Sequence, residues 1–313
     1  MDIEKKFKPY LRLIDDELSQ IHGNERVTQF YEPIRYVLGL RSKKIRPLLV
    51  MLSAGAVGGN IKDARFPAAA VELLHDFTLV HDDIMDNDNT RRGLPTVHVK
   101  WDINTAILAG DGLVGFAFQK LLKTPSGPIR EMASRFTDAM IVICEGQGLD
   151  KMFEDQAYIT VDDYNDMIAR KTAALIELSC ELGAMAGNGS ESDVRHLREF
   201  GFALGMGFQI QDDLLDIMAD ENLLGKKVGS DFAMHKQTIL TLKLQERIGR
   251  EKFNHLKLED YRSALSESRV LDEVTSIYEE YFKTAYSRLK NLPQNDETSL
   301  LYQLTDYIKN RSW

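Results

Sequence analysis

Residues 68–88 read AAAVELLHDFTLVHDDIMDND, an apolar stretch that ends in four aspartates. Its apolar side chains recur at spacings of three and four, which predicts a buried α-helix. Residues four apart lie on one face of a helix, so Asp82 and Asp86 should direct their carboxylates to one spot, with Asp83 beside them. Such a cluster at the end of a buried helix would repel itself unless a hard divalent cation neutralised it.

The same periodicity runs through most of the chain and predicts helices over residues 68–85, 105–122, 129–153, 163–186 and 258–289. Thr160 and Ser190, each followed three residues later by aspartate, read as helix caps. We find no convincing two-residue alternation and no Asn-Gly hairpin, so we predict no sheet. Without a Ser/Gly/Pro-rich linker, the simplest architecture is all-α: a single domain over residues 1–313, forming one large helical bundle around a central cavity.

Composition narrows the class of protein. The chain has 39 basic and 48 acidic residues, a formal net charge of −9, whereas a nucleic-acid binder needs a basic face. The two cysteines, Cys144 and Cys180, lie in apolar stretches and are expected to be buried, reduced thiols. The N-terminal residues lack a signal peptide, and no apolar run nears the roughly 18 residues that span a bilayer. We therefore expect a cytoplasmic protein with no nucleic-acid partner and no transmembrane segment.

A second cluster lies in Phe208-Gln-Ile-Gln-Asp-Asp-Leu-Leu-Asp, where Asp212, Asp213 and Asp216 follow an apolar helix over Phe200–Ile210. A single such motif is common and would more often be a solvated acidic loop. Two clusters, each ending a hydrophobic helix, instead predict two walls of one pocket. They could hold Mg²⁺ around a diphosphate and stabilise its charge as a carbon–oxygen bond breaks.

Basic residues accompany both clusters. Any one of them alone would more often be a solvated surface cation. Guanidinium forks and ammonium groups are, however, natural diphosphate ligands, and clustering beside both motifs favours that role. The candidates are Arg41, Lys43, Lys44 and Arg46 upstream, Arg91 and Arg92 after the first cluster, and Lys226, Lys227 and Lys236 after the second.

With these motifs in order, the sequence resembles the trans-isoprenyl diphosphate synthases, or polyprenyl synthetases, from about Tyr31 to about Thr238. The motifs are Lys43-Lys-Ile-Arg-Pro, Glu72-Leu-Leu-His, His81-Asp-Asp-Ile-Met-Asp, Arg91-Arg-Gly, Gly146-Gln-Gly-Leu-Asp, Lys171-Thr, Phe208-Gln-Ile-Gln-Asp-Asp-Leu-Leu-Asp, Gly225-Lys-Lys-Val-Gly-Ser-Asp and Lys236-Gln-Thr. The resemblance implies the isoprenoid synthase fold and a homodimer formed through the helix around Asn104–Leu121. It also implies a head-to-tail, trans condensation of isopentenyl diphosphate with an allylic diphosphate.

The resemblance also implies roles for individual residues. Metal ligands and their supports, for three Mg²⁺ per active site, would be Asp82, Asp83, Asp86, Asp150, Asp212, Asp213 and Asp216. The allylic diphosphate would be held by Arg91, Lys171, Lys226 and Lys236. Isopentenyl diphosphate would be held by Lys43, Arg46, His75 and Arg92. Thr172 and Gln209 would face the developing carbocation, and with Lys171 and Arg91 they form the implied catalytic set.

Two features of the sequence bear on these implications. Arg41 and Ser42 stand where the family usually has two glycines, and Lys44 replaces an arginine, which could reduce close backbone approach to the diphosphate. Product length in the family depends on the pocket floor, about one turn before the first cluster, where Phe77 is a large plug and Thr78 leaves room. With no insertion in the cluster, this resembles a short-chain enzyme, with geranylgeranyl diphosphate favoured and farnesyl diphosphate next.

Three alternatives remain open at this point. A terpene cyclase would share the first cluster but normally carries a different second metal site. A head-to-head condensing enzyme of the squalene type is disfavoured for similar reasons. A non-catalytic partner subunit would often lack one of the two clusters, and both are present here.

Overall fold

The computed structural model of the protein describes residues 3–21, 26–218 and 236–310, and α-helices dominate them. The all-α prediction is therefore confirmed. The helices are α1 (Ile3–Leu18), α2 (Thr28–Leu38), α3 (Ile45–Ala56), α4 (Ile61–Met85), α5 (Val97–Lys100), α6 (Ile103–Leu121), α7 (Ile129–Glu154), α8 (Val161–Ile168), a π-helix (Ala169–Ala173), α9 (Ala174–Ala186), α10 (Glu191–Met218), α11 (Ile239–Ile248), α12 (Arg250–Phe253), α13 (Leu258–Glu267), α14 (Val270–Leu289) and α15 (Asp296–Lys309).

The prediction of no sheet is wrong in one place. Strands β1 (Thr90–Arg91) and β2 (Leu94–Pro95) form a short antiparallel hairpin directly after α4. Its turn consists of Arg92 and Gly93, both with positive φ, at 55° and 78°. Positive φ at both central residues is typical of a tight hairpin turn, and an Arg-Gly pair is a weaker sequence signal for it than Asn-Gly.

Most predicted helices are confirmed, with changes at their ends. The predicted helix 258–289 is two helices, because Arg269 adopts a left-handed conformation with φ 60° between α13 and α14. The second aspartate cluster does not follow a helix that ends at Ile210, as predicted. It lies within α10, which continues to Met218, because Leu214 and Ile217 keep the apolar periodicity beyond the aspartates and are buried.

Both predicted caps are present. Thr160 and Asp163 form a capping box at the start of α8, with the Thr160 hydroxyl accepting from the Asp163 N–H at 3.1 Å. Ser190 and Asp193 bond in the same way at the start of α10. These side chains satisfy backbone donors that have no partner within the helix.

The chain divides into two compact units. The first comprises Met1–Met140, Leu178–Arg198 and Leu292–Leu301, and the second comprises Ile141–Glu177, Glu199–Asn291 and Tyr302–Trp313. In the first unit, α4 packs chiefly against α6 and α3. Small residues on α6, among them Ala106 and Ala109, are fully buried and allow this close approach. In the second unit, α10 and α11 contribute to one apolar core.

Two smaller expectations can also be compared with the structure. Neither cysteine forms a disulfide, as expected, but Cys144 is exposed and only Cys180 is buried. Within the residues that the structure describes, no helix is both long and apolar enough to cross a bilayer.

Candidate active site

The first aspartate cluster occupies the C-terminal end of α4. Asp82 and Asp83 lie in the last turn, and Asp86 is the C-cap residue, whose N–H bonds to the Asp82 carbonyl at 2.8 Å. Asp86 is exposed and Asp82 partly exposed, whereas Asp83 is only 4% exposed. The negative end of the helix dipole adds to the attraction of a cation here. Two carboxylates of this cluster are thus accessible to a ligand, and the third is turned into the protein.

Asp83 is bound to Arg91 on β1. The Arg91 Nε donates to Asp83 Oδ1 at 2.7 Å, its Nη2 pairs with the same oxygen, and that Nη2 also lies 3.2 Å from Asp88 Oδ2. Burial raises the pKa of Asp83, and the Arg91 charge opposes this effect. The hairpin therefore supplies a guanidinium whose position is set by a buried carboxylate.

A second group of cations lies nearby in the first unit. Arg46, in the first turn of α3, donates from Nη1 to His75 Nε2 on α4 at 3.2 Å. Burial, followed by the positive charge of Arg46, lowers the pKa of His75 well below its usual value. The imidazole is therefore neutral at physiological pH, accepting at Nε2 and carrying its proton on Nδ1.

Two buried carboxyl groups beneath these cations were not identified from the sequence. Glu72 and Asp76 are each 3% exposed. Burial raises the pKa of Glu72, and the neighbouring Ser42, Lys44, Arg46 and Arg92 oppose the shift. Burial and the charge of Glu72 raise the pKa of Asp76 well above its usual value. Glu72 opens the Glu72-Leu-Leu-His motif and Asp76 follows it directly, but neither was assigned a role from the sequence.

Ser42 connects Glu72 to the segment before α3. Its hydroxyl donates to Glu72 Oε1 at 2.8 Å and accepts from the Lys44 N–H at 3.2 Å. Lys44 has a left-handed backbone, with φ 49°, and its ammonium group pairs with Asp15 on α1. The serine that replaces a family glycine thus forms contacts that glycine could not. Lys43 beside it is exposed.

In the second unit, the other aspartate cluster is held by neutral hydrogen bonds. Tyr164 on α8 donates to Asp213 Oδ2 at 2.6 Å, and Gln209 Nε2 donates to Asp213 Oδ1 at 3.0 Å. Thr172 in turn donates to Gln209 Oε1 at 2.9 Å. Asp213 is 5% exposed, while Asp212 and Asp216 are partly exposed. Sequence analysis missed Tyr164, since an aromatic residue on an amphipathic helix reads as ordinary core.

Lys171 and Thr172 both lie in the π-helix, a rare widened turn that is frequent at functional sites. The Lys171 ammonium pairs with Asp150 on α7. Gly146 brings α7 against this turn, because a Cβ there would lie 2.3 Å from the Lys171 nitrogen. The Gly146 motif is thus explained by close backbone packing, and it places Asp150 beside Lys171.

Gln147 and Gln237, which also belong to the sequence motifs, differ in their hydrogen bonding. Gln147, one turn before Asp150, is 6% exposed, and within the described residues both of its amide atoms are buried without a hydrogen-bond partner. Gln237 donates to the carbonyls of Phe153 and Gln156 and so secures the end of α7. Lys236 is exposed, and the predicted ligand Lys226 lies outside the described residues.

The donor chemistry of both clusters suits Mg²⁺. In the part of the chain that is described, no three acidic, histidine or cysteine side chains already converge as a metal site. Mg²⁺ commonly binds through one or two carboxylates, several waters and the phosphates of its substrate. The accessible carboxylates of each cluster lie on one helix face and provide that partial set.

The proposed chain-length residues lie one turn above the first cluster. Phe77 and Thr78 are both partly buried on α4, and the Thr78 hydroxyl donates to the His75 carbonyl at 2.8 Å. Phe77 contacts His81 edge to face, with 4.8 Å between ring centroids. Thr78 is therefore bound to its own helix, while Phe77 contacts another side chain.

Comparison with known proteins agrees with these features. Residues 27–278 match the family model described as polyprenyl synthetase. The chain is 42% identical to a geranylgeranyl diphosphate synthase of Sulfolobus acidocaldarius, over 89% of this chain and 88% of that one. It is 38% identical to a geranylfarnesyl diphosphate synthase of Aeropyrum pernix, over 86% and 90% of the two chains.

A solved structure agrees as well. The geranylgeranyl pyrophosphate synthetase from Pyrococcus horikoshii Ot3 superposes with a TM-score of 0.91 at 35% identity, covering 99% of this chain and 98% of the other. This level of agreement in sequence and in fold runs over nearly the whole chain. The chain therefore belongs to the polyprenyl synthetase family.

Proposed function

We propose that this chain is a Mg²⁺-dependent, short-chain prenyltransferase that condenses isopentenyl diphosphate with allylic diphosphates, head to tail and in trans. One observation carries the proposal: each aspartate cluster leaves two carboxylates accessible, and carboxylate-bound cations accompany the clusters. Arg91 pairs with Asp83 of the first cluster, and Lys171, which pairs with Asp150, is next to the Thr172 that bonds to Gln209. Carboxylates for metal and cations for phosphate are the groups that a departing diphosphate requires. Membership of the family supports the same reaction.

In this proposal, the residues that would hold Mg²⁺ for the allylic diphosphate are Asp82, Asp86 and Asp212, with Asp150 assisting and Asp83, Asp213 and Asp216 supporting, for three Mg²⁺ in all. When bound, Mg²⁺ would supply positive charge that stabilises the leaving diphosphate. Arg91, Lys171, Lys226 and Lys236 bind the same diphosphate. Lys171 would leave Asp150 for the phosphate, so that each gains a new partner of opposite charge.

Isopentenyl diphosphate would bind to the cations of the first unit, Lys43, Arg46 and Arg92. The neutral His75 accepts from Arg46 and so orients its guanidinium. A guanidinium carries several N–H donors, so Arg46 is suited to bind phosphate oxygens as well as His75. His75 is proposed to donate to the same substrate from its Nδ1, since its Nε2 accepts from Arg46.

The condensation itself needs no side-chain base. The carbon–oxygen bond of the allylic diphosphate breaks, the isopentenyl double bond forms the new carbon–carbon bond, and a proton leaves with the departing diphosphate. Thr172 directs its proton to Gln209, so the lone pairs of its oxygen can stabilise the developing positive charge. The aligned Thr172–Gln209–Asp213 chain fixes this orientation.

The deciding experiment is an assay of the purified protein with Mg²⁺, isopentenyl diphosphate and dimethylallyl, geranyl or farnesyl diphosphate. We expect diphosphate release that requires both substrates and ceases with excess chelator, with geranylgeranyl diphosphate as the main product. Diphosphate release without isopentenyl diphosphate would instead indicate a cyclase. No release with any primer would indicate a non-catalytic subunit.

Product length is proposed to be limited by Phe77. Phe77→Ala removes a large plug and should shift the main product beyond twenty carbons, because the chain can then grow past the floor. Thr78→Ala, which only removes a hydroxyl bound to its own helix, serves as the matched control. Product analysis by chain length measures both, and an unchanged distribution in Phe77→Ala would remove Phe77 from this role.

We also propose a homodimer formed through α6. Ile103, Ile107 and Leu108 on this helix are 53%, 42% and 52% exposed, an unusual concentration of apolar surface for a single helix. Ile107→Glu should therefore reduce the mass measured by light scattering from dimer to monomer. Ile141→Glu, at a similarly exposed isoleucine on α7, should leave the mass unchanged. A dimer that persists in Ile107→Glu would place the interface elsewhere.

Two broader predictions stay proposals. We propose that residues 1–313 act as a single isoprenoid synthase domain, supported by the continuous family match over both units. We also propose a cytoplasmic location, supported by two cysteines that form no disulfide. Limited proteolysis with activity measurement tests the first, and cell fractionation tests the second.

A further inference from the structure

His81 has no part in the proposed chemistry, yet it is tightly placed. It lies one helical turn after Phe77 on α4, and the two rings meet edge to face at 64° with 4.8 Å between centroids. An aromatic ring in this arrangement restricts where its neighbour can lie. The rotamer of Phe77 thus depends on where the His81 ring is held.

The His81 ring also rests on α6. A Cβ at Gly110 would lie 2.2 Å from His81 Nε2 and 2.5 Å from Cδ2, so only glycine leaves room for the imidazole. The same Nε2 lies 3.4 Å from the Ile107 carbonyl oxygen and can donate its proton to it. Glycine is disfavoured inside a helix, and here its cost is offset by a seat for one side chain.

From this geometry we infer that His81, seated on Gly110, is a positioning residue that fixes Phe77 and thereby sets product length. The inference rests on the proposed function, in which Phe77 is the floor of the elongation pocket. The role is steric: the imidazole fills the space between α6 and Phe77. Without it, the Phe77 ring gains freedom to move away from the growing chain.

Three variants test this inference by the distribution of product lengths. His81→Ala should increase the fraction of products longer than twenty carbons several-fold. Gly110→Ala places a methyl in the imidazole's seat and should broaden the distribution while keeping both side chains. Gly112→Ala, on the same helix as Gly110, is the matched control. Its Cβ would lie 2.5 Å from Phe30 of α2, and no His81 atom is among its three nearest neighbours. The distribution of product lengths in this variant should therefore stay as in the parent.

The double variant Phe77→Ala/His81→Ala distinguishes the inference from the proposed floor. If His81 acts through Phe77, the double variant should give the same distribution as Phe77→Ala alone. If His81→Ala lengthens the products of the Phe77→Ala variant as much as it lengthens those of the parent, the inference is overturned. It is also overturned if His81→Ala and Gly110→Ala both give the products of the parent while Phe77→Ala gives longer ones. An equal effect of Gly112→Ala would attribute the change to crowding of α6 and would overturn it too. Unchanged products in Phe77→Ala itself would instead overturn the floor, and the inference with it.

Discussion

The two aspartate clusters share one motif but are held by different forces. In both, the second aspartate is turned inward, with Asp83 4% exposed and Asp213 5% exposed. Asp83 meets the guanidinium of Arg91, whereas Asp213 meets the hydroxyl of Tyr164 and the amide of Gln209. One cluster is thus secured by an ion pair and the other by neutral donors.

The difference shows that the second aspartate orders its surroundings rather than facing a ligand. In the first cluster it positions a cation, and in the second it orients a chain of polar groups. The first and fifth positions of both motifs are the ones that remain accessible. A repeated motif can therefore carry one function at two of its positions and two different supports at the third.

The largest effect is expected at the first positions of the clusters. Asp82→Asn and Asp212→Asn should each lower kcat by about 10²–10³-fold, because each removes charge that would bind metal at the leaving group. Both side chains are partly exposed, so the melting temperature should change little. Asp138→Asn, at an exposed aspartate outside both clusters, controls for the change of charge. Normal turnover in only one of the two variants would show that the two clusters differ in function.

A medium effect on kcat should show whether Tyr164 supports the second aspartate cluster or only packs in the core. Tyr164→Phe leaves Asp213 buried with one donor fewer, and kcat should fall by about tenfold, as is typical of residues that orient metal ligands. Tyr261→Phe is matched to it, since its buried hydroxyl lies 3.2 Å from the Oγ1 of Thr241, a residue outside both clusters. Both variants should lose about 1 kcal/mol of stability. An equal kcat in the two variants would argue that Tyr164 only packs.

The smallest expected effect is on the pH dependence of stability, and it comes from the buried Asp76 in the first unit. Burial raises the pKa of Asp76 above its unfolded value, so its favourable contribution is complete below about pH 4 and is lost as pH rises through the folded pKa. Asp76→Asn removes this loss. Its melting temperature should match the parent near pH 4 and exceed it by roughly 2–4 °C at pH 8, the change expected for about 1 kcal/mol. A difference in melting temperature that does not grow with pH would contradict a raised pKa for Asp76.

Much of the fold could be predicted because it follows from local patterns. The three- and four-residue spacing of apolar side chains located α4, α6 and α7, and the Thr160 and Ser190 caps located two helix starts. The hairpin after α4 could not be predicted, since four residues are too few to show alternation. The end of α10 was misplaced because the polar cluster interrupts a periodicity that resumes with Leu214 and Ile217.

The candidate site was predicted less completely, for a different reason. Asp82 stands out by its type and spacing, and the resemblance to a known family implies Lys171 and Gln209. Their partners do not stand out: Tyr164 meets Asp213 across 49 positions of sequence, and Ser42 meets Glu72 across 30. Such pairs arise from tertiary packing, which spacing along one helix does not encode.

The π-helix has a geometric consequence for the second cluster. In an uninterrupted α-helix, residues eight apart such as Tyr164 and Thr172 would lie roughly 80° out of line with each other. The widened turn between them absorbs the surplus residue, and both side chains reach α10, where Asp213 and Gln209 are one turn apart. The π-helix thus corrects the phase between two segments of helix, and the polar chain depends on that correction.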